Sequence, residues 1–261
     1  MSKLKHLIIM PALAIVGVVN AGTVYTMTEK AGNSTDKVKL SVEGESLRMD
    51  QSSSDAVVFN GAMQHALNID HGKRSYILID RQEIAKTVEQ LNPALERMRQ
   101  ELANMPPDQR AMVEKMMGGK MPSSKSEPPK WDIAATGETD SQAGIDCEWH
   151  DISLNGKLSQ RLCMADPDKV TGGRAALNNM RAMAEFFDDV FSQIREQMPF
   201  ALPQNPMSNV NKVDGFPIIT QQVNNGVVQS DLRLDSAESV ALGRAVFEAP
   251  EGYSQKRLGT R

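Results

Sequence analysis

The chain is poor in cysteine and aromatic side chains, and it has no excess of basic residues. Two cysteines in 261 residues exclude a disulfide-rich scaffold. The 29 Lys and Arg residues against 33 Asp and Glu residues give a formal charge of −4. This balance argues against a nucleic-acid-binding protein, because recognition of phosphates normally needs a basic surface. With 40% apolar and 24% charged residues, the composition is that of a globular protein.

The sequence also lacks the short motifs of the common enzyme classes. G-x-S-x-G, H-E-x-x-H, a phosphate-binding loop and a dinucleotide-binding glycine pattern are all missing. After residue 21 the histidines are His65, His71 and His150, and their spacing is not that of metal ligands. We therefore expect a protein without enzymatic activity and without a metal or organic cofactor.

Long apolar runs are absent except at the N-terminus, where Lys3 and Lys5 precede the run Leu7–Val19. This run is shorter than the roughly 20 residues of a transmembrane helix, and small residues end it at Val19-Asn20-Ala21. The pattern predicts a signal peptide, residues 1–21, cleaved before Gly22, with an uncleaved anchor as the alternative. Cleavage removes two lysines and leaves 27 basic against 33 acidic residues, a formal charge of −6. We expect an exported, periplasmic protein with no transmembrane segment after cleavage.

The remaining sequence alternates between strand-like and helix-like hydrophobic patterns. Period-two alternation, typical of strands, fills residues 23–80 and returns from Trp131 to Ala165. A final hairpin, about Asn224-Asn225-Gly226, and an edge strand at Ala245–Phe247 are also predicted. Strands followed by helices and strands again favour an α+β fold. We expect one domain, residues 22–261, with a curved, unclosed antiparallel sheet and helices covering one face.

Two segments have the periodicity of amphipathic helices. Asp80 and Glu83 have the spacing of a capping box. One apolar stripe follows them, at steps of three and four residues: Ile84, Val88, Leu91, Leu95, Met98 and Leu102. Pro93 predicts a kink or a restart capped by Asn92. We expect this helical excursion to span about residues 81–121, with a short second helix near 107–117, and a longer helix at about Gly173–Met198.

Methionine is abundant, with 16 residues in the chain, and most of them fall in these helical segments. Three interpretations are open: filling of irregular core gaps, a deformable apolar surface for varied partners, or soft ligands for copper(I). Core filling is the simplest of the three. For the second interpretation, the candidate contacts with an apolar ligand are Met98, Met112, Met116, Met117, Met180 and Met183.

The two cysteines, Cys147 and Cys163, lie on the two strands of a predicted hairpin. Export into an oxidising compartment favours a disulfide between them. If the two cysteines lie directly opposite each other, the hairpin needs an odd loop of three or five residues, or a bulge. A two-residue turn at Asn155-Gly156 would instead place Cys163 opposite Glu148, on the other face. We therefore predict the disulfide with a Gly-bulged three-residue loop.

Several short motifs resemble those of exported bacterial domains of unknown function. They are Thr136-Gly-Glu-Thr139, Ala143-Gly144, Cys147, Trp149–Ser153, Gly156, Val213-Asp-Gly-Phe-Pro217 and Phe247-Glu-Ala-Pro250-Glu-Gly-Tyr253. Those domains are similar to the periplasmic lipoprotein carriers LolA and LolB. The resemblance implies an unclosed barrel whose concave face is covered by helices and holds acyl chains. It implies no individual ligand-contacting residue.

Together these observations predict a non-enzymatic periplasmic protein that binds an apolar ligand. The ligand would be a lipid, an acyl chain or a lipoprotein-like segment, held in the helix-covered half-barrel. The alternative is an envelope protein–protein interaction or stress-sensing module with a filled core. A copper(I)-handling protein is a third interpretation of the methionines.

Overall fold

The computed structural model describes residues 21–106, 108–109, 112, 130–197 and 212–258. The predicted signal peptide therefore lies outside the described residues, apart from Ala21. The same holds for Met116, Met117 and most of the short helix predicted near 107–117.

Twelve strands form one large sheet that does not close on itself. In chain order, β1–β12 are Gly22–Ala31, Ser34–Glu43, Ser46–Asp50, Asp55–Asn60, His65–Asp70, Ser75–Ile79, Trp131–Gln142, Ile145–Leu154, Lys157–Ala165, Phe216–Asn224, Val227–Val240 and Ser254–Lys256. Their order across the sheet is β12-β6-β5-β4-β3-β2-β1-β11-β10-β9-β8-β7. All neighbouring strands are antiparallel except β6 and β12, which run parallel. The protein is thus a mixed α/β fold with an open, almost entirely antiparallel sheet.

The sheet consists of two meanders joined by one long-range pairing. Strands β1–β6 form the first meander, and β7–β11 form the second. The join is the antiparallel pair β1–β11, which runs from Gly22 opposite Val240 to Ala31 opposite Ser230. Hairpins specify the neighbours within each meander, except that β9 and β10 are separated in sequence by α2, Gly173–Gln197. The central pair brings together residues about 200 positions apart, beyond the reach of local sequence patterns.

Two α-helices interrupt the strands, α1 at Arg81–Asn104 and α2 at Gly173–Gln197. The predicted cap of α1 is confirmed, because the backbone N–H of Glu83 donates to Asp80 Oδ1 at 2.8 Å. The predicted restart at Asn92 is wrong, since α1 continues through Pro93. Its ring lies on an exposed part of the helix, where water can hydrogen-bond a carbonyl group that the proline leaves without a partner.

The C-terminal segment differs from the predicted edge strand. Residues Arg244–Phe247 form a 3₁₀ turn, and the edge strand is instead β12, beside β6. The apolar side chains of Val246 and Phe247 pack against a face of the sheet, not along its edge. The short apolar run at this site therefore reflects burial against the sheet and not strand pairing.

The two faces of the sheet carry different clusters, because successive side chains of a strand point to opposite sides. We call the first side the α2 face, since its strand residues Tyr25, Leu47 and Phe59 share the main buried cluster with α2. On the opposite face, Val58 and Ile69 belong to a second cluster. The C-terminal segment covers this second cluster with side chains that include Phe247 and Tyr253.

The predicted disulfide is present, but its hairpin differs from the prediction. Cys147 and Cys163 are bonded with their Cα atoms 5.3 Å apart. Leu154 pairs with Lys157 across a two-residue Asn155-Gly156 turn, so the three-residue loop is wrong. A bulge at Ser159 then shifts the register, and Cys163 lies opposite Trp149, diagonal to Cys147 and on the same face. The tight turn and the disulfide are therefore compatible, because the bulge places both cysteine side chains on the same face of the sheet.

Candidate functional site

The start of α2 is fixed on β1 by a close backbone approach. The hydroxyl of Tyr25 donates to the carbonyl of Thr171 at 2.9 Å. Gly172 adopts a positive φ of 64°, and a side chain there would overlap Thr23 Oγ1. Burial raises the pKa of Tyr25 well above its ordinary value, although a hydrogen bond with Thr23 opposes the shift, so the phenol stays neutral and able to donate. These contacts make the glycines at this helix start structural.

The middle of α2 is also firmly attached to the sheet. Asn179 Nδ2 donates to the carbonyl of Gly44 at 2.9 Å. The rings of Phe186 and Phe59 lie 5.6 Å apart. Met180 and Met183, two of the candidate ligand contacts, are only 9% and 2% exposed and belong to the main cluster. In this structure both thioethers fill the core between α2 and the strands.

The first two turns of α1 join the same cluster, but the remainder of its described apolar stripe does not. Ile84 and Val88 are buried there, and Arg81 Nε lies 2.9 Å from Asp189 Oδ2 of α2. Farther along, Leu91 and Met98 are each 39% exposed. The stripe therefore changes from buried to exposed within a single continuous helix.

The six candidate methionines consequently fall into separate groups. Met180 and Met183 are core residues, whereas Met98 is half-exposed on α1 and Met112 is 66% exposed. Met116 and Met117 lie outside the described residues. Helical spacing predicts that Met98, Met180 and Met183 lie on apolar stripes, but only tertiary contacts separate the core positions from the surface positions.

A second feature is a groove on the face opposite α2, which we call the outer groove. Its volume is about 680 Å³. The floor and rim are formed by one end of the β2–β6 meander and by the C-terminal segment. Its main apolar lining residues are Met63, Leu67, Tyr76, Leu78, Phe247 and Ala249. This size and composition match those of small-molecule pockets.

The polar side chains of the outer groove include one carboxylate without a partner. Glu43 Oε2 is buried, and among the described residues no group donates a hydrogen bond to it. Arg244 and Glu248 line the same groove and are exposed. Burial lowers the pKa of His65 below its ordinary value of 6.5, although the charge of Asp80 opposes the shift. His65 is therefore neutral at pH 7, and the groove carries more negative than positive charge.

A smaller cavity, of about 410 Å³, lies beside the first turns of α2, and polar and apolar atoms contribute about equally to its lining. Its arginines are engaged in ion pairs: Arg174 Nε with Asp168 at 2.8 Å, and Arg181 with Asp214 at 3.0 Å. The Arg174 pair is exposed to solvent, where such interactions contribute little stability, whereas the Arg181 side chain is partly buried. The cavity therefore combines paired charges with an apolar part.

The part of the chain that the structure describes contains neither a metal-ligand cluster nor a membrane-spanning helix. Within these residues, no three His, Cys, Asp or Glu side chains are grouped so that they could bind a metal ion. Neither α1 nor α2 is apolar enough over a sufficient length to span a bilayer.

The motifs behind the family resemblance lie mainly at turns, bulges and strand ends. Gly137, at a φ of 74°, occupies the register shift between β7 and β8, and the hydroxyl of Thr136 donates to the carbonyl of Trp149 at 3.0 Å. Ala143 and Gly144 form the following two-residue turn, both at positive φ. Thr136, Gly137, Ala143 and Gly144 therefore have structural roles, and none of these four lines the outer groove. The motif that begins at Phe247 does line it, through Phe247, Glu248 and Ala249.

Sequence reasoning missed the outer groove. Its polar and apolar parts, Glu43, Met63 and Phe247, are separated by long stretches of chain and meet only through the sheet topology. A weak signal was available in the acidic, unpaired Glu43 at the end of an alternating strand. Neither a known protein-family model nor a curated protein matches this chain, so its function is argued from the geometry.

Proposed function

We propose that this is a non-enzymatic periplasmic protein that binds an apolar ligand on the α2 face, against the outer part of α1. The ligand class is a lipid, an acyl chain or a lipoprotein-like segment. The observation that carries the proposal is the exposed continuation of the α1 stripe at Leu91 and Met98.

An amphipathic helix in a folded domain normally buries its apolar stripe along its length. Ile84 and Val88 follow that rule, whereas the next described positions leave more than a third of each side chain in water. Leu91 and Met98 lie two helical turns apart on one side of α1, and exposed apolar residues that share one face, unlike scattered ones, are typical of interaction and ligand sites. Met98 suits such a role, because its flexible thioether adapts to ligands of different shape.

The sheet supports the same proposal. A 12-stranded open sheet with two helices that contribute to one cluster is compatible with the half-barrel implied by the resemblance. In that arrangement the helices cover the concave face, and an acyl chain lies between them and the strands. The exposed part of α1 would then close over the bound chain.

The test uses exported, delipidated protein and a fluorescent fatty-acid probe. Met98→Gln should weaken probe binding roughly threefold to tenfold, because a polar amide replaces an apolar contact worth about 1 kcal/mol. Val227→Gln is the control. Val227 is an exposed apolar residue at the start of β11, 60% exposed, and it belongs neither to the α1 stripe nor to the lining of the outer groove. We expect Val227→Gln to leave the affinity unchanged.

Two results would contradict this proposal. One is the absence of probe binding at micromolar concentrations together with no co-purified lipid in native mass spectrometry. The other is an equal loss of affinity in Met98→Gln and Val227→Gln, which would indicate non-specific adsorption.

The packed core favours one alternative function, an envelope interaction or stress-sensing module. Met180, Met183 and Phe186 of α2 are buried against the strands, so the described part of the core is filled. Crosslinking in the periplasm would trap a specific protein in that case. The combination of a trapped protein and no fatty-acid binding would select this alternative.

A further inference from the structure

We infer that the outer groove binds a small organic amine with an apolar body, and that Glu43 receives its ammonium group. This site lies on the opposite face of the sheet from α1 and α2, and the inference is independent of the proposed function. It rests on the shape of the groove, its apolar floor and the unpartnered carboxylate of Glu43.

The groove can hold an apolar body. Leu67, Tyr76 and Phe247 belong to or pack against the second cluster, and each also lines the groove. Met63 stands at the rim with most of its side chain in water. The turn that carries it is ordered by a hydrogen bond of 2.9 Å from the backbone N–H of Met63 to Asn60 Oδ1. An apolar ligand would therefore be held between a fixed floor and a flexible thioether.

Glu43 specifies the polar end of the ligand. Glu43 is the last residue of β2, and its position alternates with Val42, which belongs to the main cluster on the other face. Its Oε2 is buried without a donor among the described residues. A buried carboxylate oxygen without a hydrogen bond is costly, and native structures usually supply it with a partner, from the protein, a bound water or a ligand. Rotation of the Glu43 side chain toward the groove that it lines would bring this oxygen against a ligand ammonium group, which would supply the missing donor.

The charge of the lining favours a cation over an anion. The lining contains two carboxylates, those of Glu43 and Glu248, and one guanidinium, that of Arg244. Glu248 and Arg244 are exposed. Carboxylates stabilise a bound cation, and a charge-assisted hydrogen bond is about twice as strong as a neutral one. An amine with an apolar body therefore matches both halves of the groove.

The experiment compares two fluorescent probes, monodansylcadaverine and its N-acetylated derivative, which has the same dansyl body but no ammonium group. We expect the wild-type protein to bind the amine at least about tenfold more tightly, the strength of one charge-assisted hydrogen bond. Glu43→Gln should abolish this preference, while Met63→Gln should weaken both probes equally. Glu45→Gln is the matched control, because Glu45 is an exposed carboxylate in the adjacent turn and does not line the groove.

A second measurement separates a binding role from a structural one. Because Glu43 Oε2 has no partner in the fold, Glu43→Gln should melt at or above the temperature of the wild type. A lower melting temperature would show that the carboxylate stabilises the fold and would overturn the inference. Equal affinity for the two probes, survival of the preference in Glu43→Gln, or its loss in Glu45→Gln would also overturn it.

Discussion

Helices α1 and α2 have almost the same length, 24 and 25 residues, and both have an apolar stripe, yet the structure uses them differently. Helix α2 contributes buried side chains to the main cluster from Ala176 to Val190. Among the side chains of α1 that the structure describes, Ile84 and Val88 alone belong to this cluster, and Leu91 and Met98 are each 39% exposed. The difference shows that an amphipathic pattern predicts which side of a helix can be buried. How much of that side is buried depends on the strands around it.

The comparison assigns the two helices different roles. The sheet holds α2 at its start through Tyr25 and at its middle through Asn179, so α2 is a structural element. Helix α1 is attached through its first turns, and its outer part has apolar surface left for a partner. Four predictions test this division.

The largest effect is expected for Phe186→Ala in α2. Phe186 is buried and its ring lies 5.6 Å from that of Phe59, so truncation leaves a cavity in the main cluster. We expect a loss of about 3–5 kcal/mol in the free energy of unfolding, measured by urea denaturation. Leu91→Ala in α1 is the control and should cost less than about 1 kcal/mol. Similar losses in the two variants would remove the distinction between the helices.

The disulfide lies in the same part of the molecule as α2, because Cys147 and Cys163 both belong to the main cluster. Cys147→Ser with Cys163→Ser should lower the free energy of unfolding by about 3 kcal/mol, since the unfolded chain gains freedom across 16 residues. Thiol counting on the denatured, exported wild-type protein should find no free thiol. Two free thiols would contradict the bond.

A smaller effect is expected at the start of α1. Asp80→Ala removes the acceptor for the backbone N–H of Glu83 and should cost about 1 kcal/mol of unfolding free energy. Asp80→Asn keeps a capping oxygen and should behave like the wild type. If both variants melt at the wild-type temperature, the first turn of α1 does not contribute to stability.

The smallest stability effect is expected for Met98→Ala. Its side chain is half-exposed, so the change in unfolding free energy should be within about 0.5 kcal/mol. Thermal melting with circular dichroism would measure it. A loss above about 2 kcal/mol would show that Met98 has a structural partner, and the stripe would no longer be available for a ligand.

Most local elements could be predicted from the sequence. The bounds of β8 and β9, Ile145–Leu154 and Lys157–Ala165, are confirmed, and α2 begins at Gly173, as predicted. These elements have clear periodicity and strong turn residues, such as Asn155-Gly156, whose positive φ values need no tertiary support. The order of the two meanders could not be predicted, because the β1–β11 pairing depends on contacts distant in sequence.

The sites were less predictable than the elements. The disulfide was correctly paired, but the Ser159 bulge changes the register and leaves no sequence signature that separates it from a longer loop. The methionines could be placed on helix stripes, but whether Met183 or Met98 is buried depends on the strands below. The outer groove was missed because its residues meet only in the folded sheet.

Hydrogen–deuterium exchange with and without the fluorescent fatty acid tests the central claim most directly. If the outer part of α1 closes over an apolar ligand, amides of residues 91–104 should gain protection on binding, while those of Ala176–Val190 in α2 remain protected in both states. Protection confined to α2 or to the outer groove, or unchanged exchange in α1 at saturating probe, would contradict the account.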